Sequence, residues 1–407
     1  MNTNTFNNYK FIIFCGGLIL TLSLGIRHSF GMFMMPMISD FHWGREVFGF
    51  GIALQNLLWG LTQPITGRIA DKYGAGKVIL AGGAFYVLGL LLMAMTTTTT
   101  EFTVSAGLLI GLGLSGTTFP IVFGVVSRSV SPEKRSLAMG VCMSLGSLGQ
   151  FVLLPGSVGL IDGLGWSGAL IAMAALSVLI FPLAIPLMEK KTLEQVKAPE
   201  PEMKLNEILR EAFQSKAFWM LCGGFFVCGF HIVFIAVHVP IYLVDGGLTA
   251  FDASMVLGLI GLGNILGSYL AGLWGGIYPK AKLLSALYIS RALLFVLFIL
   301  LPLSQVTAYI FGFFMGFLWL STVPLTNGAI ATIFGVKNLS MLGGFVFLAH
   351  QVGAFLGGWL GGKIYDLVGS YDVVWMISIG LGLLAALINL PVKEVPIERK
   401  SYASAQA

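Results

Sequence analysis

Apolar runs of roughly 20 residues, each long enough to cross a lipid bilayer as a helix, recur along this chain with short polar turns between them. They fall near 11–38, 47–68, 78–97, 102–127, 136–161 and 166–188, and again near 216–243, 251–275, 283–303, 305–333, 339–362 and 371–392. Within lipid a segment must satisfy its own backbone hydrogen bonds, so such runs fold as spanning helices. Only 10% of the 407 residues are charged and 57% are hydrophobic, whereas a soluble domain carries about 25% charged residues. The first run has only Lys10 ahead of it and is too long for a signal peptide, so it reads as a span. The one long polar stretch, 189–215, reads as a cytoplasmic linker between a six-helix half at 1–188 and a second at 216–407.

The net charge of +5 does not indicate a nucleic-acid partner, because the basic residues sit in short loops rather than in one patch. With the N-terminus placed inside, Lys10, Arg68, Lys72, Lys77, Arg128, Lys134, Arg135, Lys190, Lys191, Lys280, Lys282, Lys337 and Lys393 all fall on the cytoplasmic side. Arg45 and Lys363 fall on the other. That asymmetry predicts a multi-pass protein of the inner (cytoplasmic) membrane with both termini cytoplasmic. Cys15, Cys142, Cys222 and Cys228 lie inside apolar runs and read as free, packed thiols. No phosphate loop, metal-ligand cluster or nucleophile–base pairing stands out, so neither enzymatic activity nor a cofactor is expected.

An internal repeat supports the division into halves. At a shift of 204 residues, Gly25 coincides with Gly229, Pro36 with Pro240, Thr118 with Thr322, Pro120 with Pro324, Gly140 with Gly344, Gly149 with Gly353, Asp162 with Asp366 and Gly165 with Gly369. Internal repeats with a binding site at their interface are how secondary transporters build alternating access.

After the second run comes Gly67-Arg68-Ile69-Ala70-Asp71-Lys72-Tyr73-Gly74-Ala75-Gly76-Lys77. This segment resembles the signature between helices 2 and 3 of the major facilitator superfamily. The resemblance implies an all-α membrane protein of the major facilitator fold, with twelve transmembrane helices in two pseudo-symmetric halves. It also implies a cytoplasmic latch at Gly67, Asp71, Lys72, Gly74 and Lys77. Asp71 is suited to accept hydrogen bonds from a neighbouring helix end or to pair with a cation such as Arg128. The copy in the second half is degenerate, with Gly276 where the Asp belongs. The run Lys134-Arg135-Ser136-Leu137-Ala138-Met139-Gly140 is similar to the opening of helix 5 in the monocarboxylate and oxalate–formate branch. Mammalian monocarboxylate carriers have an Asp and Arg pair in helix 8. Here that stretch, Gly263-Asn264-Ile265-Leu266-Gly267-Ser268, has no charge, so their coupling chemistry does not transfer.

Charges within a bilayer are costly and mark function by default. The spans hold no carboxylate near their middles; they hold Arg27, His28, His231, His238, Arg291 and His350. A buried cation without an acidic partner favours an anionic ligand. Arg27 lies about 16 residues into the first span, roughly 24 Å along the axis, and its planar fork matches a carboxylate. Its repeat mate is His231. In the family, helices 1, 4, 7 and 10 line the central cavity, which brings in Thr117, Thr118, Ser321 and Thr322. Asn56, Asn327 and His350 complete the expected substrate site, and the other buried amides (Gln55, Gln63, Gln150, Asn264) read as helix bridges. His28, His231 and His238 are candidates to carry a coupling proton. Arg291 reads as structural, reaching toward the cytoplasmic headgroups. The expected function is secondary active transport of a small organic anion, foremost a monocarboxylate, by proton symport or anion exchange in a monomer. Next in order are proton-driven efflux of a larger amphipathic compound and a non-transporting receptor on the same fold.

Overall fold

Residues 4–188 and 203–397 are described in a computed structural model. Among them every regular element is helical. The first crossings are α1 (Asn4–Phe41), α2 (Arg45–Tyr73) and α3 (Ala75–Ala94). The fourth, α4 (Thr99–Ser129), contains a wide π-turn at Thr103–Leu109 and a break at Thr118, where the backbone is extended ahead of Pro120. Next, α5 and α6 share one continuous stretch, Arg135–Ser177, which reverses at Gly165. A short helix, α7 (Leu205–Gln214), precedes α8 (Lys216–Asp245), α9 (Ala250–Gly275), α10 (Lys280–Leu300), α11 (Gln305–Phe334), α12 (Leu339–Val368) and α13 (Asp372–Asn389). Among the described residues ten helices are long and apolar enough to cross a membrane. One of these, Pro132–Leu187, holds two crossings, and α2 is the remaining one, more polar because of Gln55, Asn56 and Gln63.

The polar stretch read as a linker through residue 215 is partly helical. In α7, Glu207 accepts a hydrogen bond from the Lys204 N–H at 3.0 Å, capping the first turn, and Ile208 and Ala212 are buried. Phe213 meets Phe345 of α12 edge-on, with ring centroids 5.4 Å apart. The rest of that stretch, 189–202, lies outside the described residues.

The repeated glycines explain the principal contacts. Helices α1 and α5 pack closely, as do α8 and α12. A Cβ on Gly25 would lie 2.7 Å from the backbone of Gly149, and one on Gly229 would collide with the carbonyl of His350. Their mates Gly149 and Gly353 abut the backbones of Thr21 and Phe226. Small residues here let the helix axes approach closely enough for dispersion contact, which drives association within lipid. Gly165 (φ 71°) and Gly369 (φ 73°) are also a repeat pair, each reversing the chain in a left-handed conformation that favours glycine. Two further extensive interfaces, α2 with α12 and α5 with α9, join the first six crossings to the last six.

Arg291 departs from expectation. Rather than reaching the headgroups it is fully buried. Span α11 is interrupted between Leu318 and Thr322, and Arg291 donates to the carbonyls of Leu318 and Trp319 that the interruption frees. Cationic donors suit the carbonyl end of a helix, and freed carbonyls have no water to turn to. Arg291→Met keeps the bulk and removes the donors. It is expected to destabilise the protein by about 2–5 kcal/mol, since each orphaned buried carbonyl costs about 1–3 kcal/mol. Thermal unfolding in detergent would record this as a lower midpoint; an unchanged midpoint would contradict the role.

Candidate functional site

Arg27 of α1 is partly exposed and donates from Nη2 to Oδ1 of Asn56 on α2, at 2.6 Å. Its guanidinium carbon lies 6.0 Å from the ring centre of Trp59, one helical turn further along α2. Its Nε is buried without a hydrogen-bond partner. Among the described residues no carboxylate forms an ion pair with it, unlike Arg128, which pairs with Asp71, and Lys280, which pairs with Glu394. Arg27 is thus a cation held by a neutral amide and an indole face, with donor capacity to spare.

Asn56 in turn touches the last six crossings. Gln351 of α12 donates from Nε2 to the Asn56 carbonyl at 2.9 Å and lies 3.5 Å from its Oδ1. The Gln351 Oε1 pairs with Nδ1 of His350 at 3.2 Å. That imidazole stacks on Phe347, which packs against Trp59 with centroids 4.7 Å apart. A polar path therefore runs Arg27–Asn56–Gln351–His350 across the α2–α12 interface, floored by aromatic rings. Nearby on α8, the Cys228 thiol lies 3.1 Å from the Thr322 hydroxyl.

The structure brings Arg27 and Asn56 into direct contact and connects His350 to them through Gln351. Thr118 joins from below: the Trp59 indole N–H is shared between its hydroxyl and Oε1 of Gln63, each at 3.0 Å. The other expected residues lie apart. His231 is fully buried on the face of α8 that meets α13, with Nε2 2.8 Å from the Ser378 carbonyl and Phe295 edge-on to its ring. The repeat pairing with Arg27 does not carry over into a shared facing direction. His238 is held by the Tyr371 hydroxyl and the Gly358 carbonyl, and His28 by the Leu24 carbonyl of its own helix at 2.6 Å. Thr117 and Ser321 bond to carbonyls within their own helices. Asn327 bonds to Val323 and has a buried Oδ1 without a partner. Three buried amides bridge helices: Gln55 to Ala106, Gln63 to Ser115, and Asn264 to both Ser147 and the Leu320 N–H. Gln351 and Trp59 do not stand out in the sequence, and Cys228 reads there only as a packed thiol. A Gln beside His350 was the available signal for the first.

A second constellation closes the end of the bundle where the basic residues gather. Asp71, its side chain 1% exposed, accepts from Arg128 Nη1 at 3.0 Å. It also accepts from the Ser340 and Met341 amides at 3.3 and 2.8 Å. Those amides open α12, so Asp71 sits at a helix N-terminus, where unpaired N–H groups and the helix dipole favour an anion. Arg128 also donates to the Val336 carbonyl, and Arg68 to Asn338. A Cβ on Gly67 would strike the Ser340 carbonyl, which accounts for the glycine there. Gly74 (φ 99°) turns the chain into α3. Lys72 lies over the Tyr73 ring, and Lys77 is exposed; neither is given a role in this contact. On the α5–α9 side Gly140 and Gly272 face one another, a Cβ on either falling 2.6 Å from the other's Cα. Toward the opposite end, a Cβ on Gly31, Gly49, Gly156 or Gly258 would meet nothing within 4 Å.

Spanning helices with interrupted fourth and tenth crossings, a cation within the first span that has no carboxylate partner among the described residues, and a closure at one end are features of a helical membrane transporter. Comparison with known proteins gives the family. The sequence profile described as the Major Facilitator Superfamily matches residues 13–328, and the chain belongs to that superfamily. It is 27% identical over 389 residues to rat Monocarboxylate transporter 13, covering 91% of this chain and 86% of the relative. It is 24% identical over 377 residues to the Bacillus subtilis (strain 168) MFS-type transporter YcxA, covering 89% and 90%. Its fold is similar to the crystal structure of the transporter FucP in the outward conformation, with a TM-score of 0.72 at 14% identity over 94% of this chain and 99% of that one.

Asp71→Asn keeps the shape and removes the charge, so at least one charge-assisted bond at the α12 N-terminus weakens. Hydrogen exchange at the amides of Ser340 and Met341 is expected to rise about tenfold, the equivalent of roughly 1.5 kcal/mol. Unchanged protection would mean that Asp71 does not hold the closure.

Proposed function

We propose that this protein is a secondary active transporter of a small organic anion, foremost a monocarboxylate, working by alternating access as a proton symporter or an anion exchanger. The observation that carries the reading is Arg27: a cation within the first span, without a carboxylate among the described residues, resting on the amide oxygen of Asn56. A carboxylate would present two charged acceptors to a guanidinium fork that now has one neutral acceptor. The names of relatives such as rat Monocarboxylate transporter 13 agree with this class of substrate. His350 and His28 are the titratable groups nearest the path or next to Arg27 in sequence, and exchange requires neither. The distribution of Lys and Arg supports an orientation with the closed end and both termini in the cytoplasm, and we assign the protein to the inner membrane on that reading. Asp71 then acts as a cytoplasmic latch whose loss slows cycling more than it weakens binding.

Uptake into proteoliposomes of labelled lactate, pyruvate, acetate, formate and oxalate, alongside a cationic dye, tests the reading, with and without an inward acid gradient. One carboxylate is expected to enter saturably. Arg27→Ala is expected to reduce that uptake by about tenfold or more, as loss of a charged hydrogen-bond partner implies. Arg27→Lys should recover little, because the fork is lost. Dye movement without carboxylate uptake would replace this reading with efflux of an amphipathic compound, and normal uptake by both variants would remove Arg27 from the site.

A further inference from the structure

The path from Arg27 to Gln351 contains one atom with two suitors. The Oδ1 of Asn56 accepts the Arg27 N–H at 2.6 Å, while the Gln351 Nε2 stands 3.5 Å away, at the outer limit of a hydrogen bond. The Gln351 amide spends its good bond on the Asn56 backbone carbonyl at 2.9 Å, an acceptor with a second lone pair. The Asn56 Nδ2 is anchored within α2 to the Ile52 carbonyl at 2.9 Å, which fixes the direction in which Oδ1 points. Gln351 is held from behind by His350 and is packed against Gly60, where a Cβ would lie 2.8 Å from the Gln351 Cβ. Asn56 belongs to the first six crossings and Gln351 to the last six, so any change in their bonding is a change between halves of the bundle.

We propose that Asn56 stands in for the anion in the empty protein, and that Gln351 is the positioning residue to which Asn56 is handed when the anion arrives. This rests on the assignment of Arg27 as the anion-binding cation. A carboxylate outcompetes a neutral amide oxygen for the guanidinium, because it brings a full opposite charge and two oxygens that accept in parallel from the fork. Arg27 then turns from Asn56, and Oδ1, relieved of its charged donor, draws in the donor already beside it, Gln351 Nε2 at 3.5 Å. Loading the site thereby strengthens the α2–α12 contact. Ligand binding biases a two-state equilibrium only through a difference in contacts between the states, and this exchange of partners is such a difference. The amide of Asn56 also spares the empty carrier an unsatisfied cation, without the permanent ion pair that a carboxylate would form.

Two substitutions, read in the uptake assay with the carboxylate that the panel selects, test the proposal. Asn56→Asp is nearly isosteric and gives Arg27 a charged partner that the substrate must displace. Its KM is expected to rise about tenfold or more, and the thermal midpoint of the empty protein to rise with it. Gln351→Leu leaves Arg27 and Asn56 in place. Its KM is expected to stay within about twofold while turnover falls about tenfold, the split that marks loss of coupling rather than of binding. A residue that merely packs would lower the amount of folded protein and move neither constant selectively. An unchanged KM in Asn56→Asp, or wild-type turnover in Gln351→Leu, would overturn the inference. If Arg27→Ala has already abolished uptake, only the inference falls with such a result. Normal uptake by Arg27→Ala, or uptake of no carboxylate at all, would remove the reading beneath it as well.

Discussion

Inside lipid a carbonyl released from its helix has no water to accept from, and much of this structure is arranged around two places where that demand arises. Span α4 is interrupted at Thr118 and span α11 between Leu318 and Thr322. At the first, the Thr118 hydroxyl returns to the Leu114 carbonyl of its own helix and receives the Trp59 indole N–H. At the second, Arg291 from α10 covers the Leu318 and Trp319 carbonyls, and Asn264 from α9 receives the Leu320 amide. The two interruptions are equivalent in the repeat and are repaired by different chemistry. Trp59 is committed by the first repair, and it is also the ring under Arg27. The site and the scaffold thus share side chains.

Much of the fold was legible because its determinants are local or periodic. Span lengths follow from runs of apolar residues, and the break at 165 follows from a glycine that the repeat places again at 369. Asp71 could be read as a ligand for a helix end or for Arg128, and in the structure it holds both. Arg27 and Asn56 were both identifiable as polar residues that loops do not explain, but their contact was not, since it depends on how α1 and α2 rotate about their axes. The same limit misplaced His231: a fixed offset relates positions along helices, whereas the facing direction is set by packing, and α8 turns that residue toward α13. Distance to the membrane surface suggests that Arg291 reaches the headgroups, but its partners come from an interruption in another span, which its own helix does not reveal. Gln351 carried no charge and no motif, and its importance arises only from where α12 meets α2.

The two constellations lie on the same pair of helices. Asp71 and Asn56 are on α2, fifteen residues and about four turns apart, and each is bonded to α12, one at its N-terminus and one at Gln351. What happens at Arg27 is therefore applied to the interface that Asp71 clamps. The α5–α9 interface, in contrast, is made by facing glycines and by Ser144 donating to the Ile265 carbonyl. The closure is strong and ionic on one side and a close steric fit on the other.

The paired glycines also bear on how such a chain diverges. Gly25 with Gly229, Gly149 with Gly353 and Gly165 with Gly369 occupy places where a side chain would collide or the backbone turns left-handed. A copy of the half could drift in its chemistry, trading Arg for His at 27 and 231 or Asp for Gly at the latch, without disturbing these positions. Symmetry would thus persist in the backbone after it had vanished from the charges. The consequence is a carrier with a two-fold frame and a one-sided interior, in which the second half commits its buried Arg291 to its own backbone while the first half leaves Arg27 with a neutral partner.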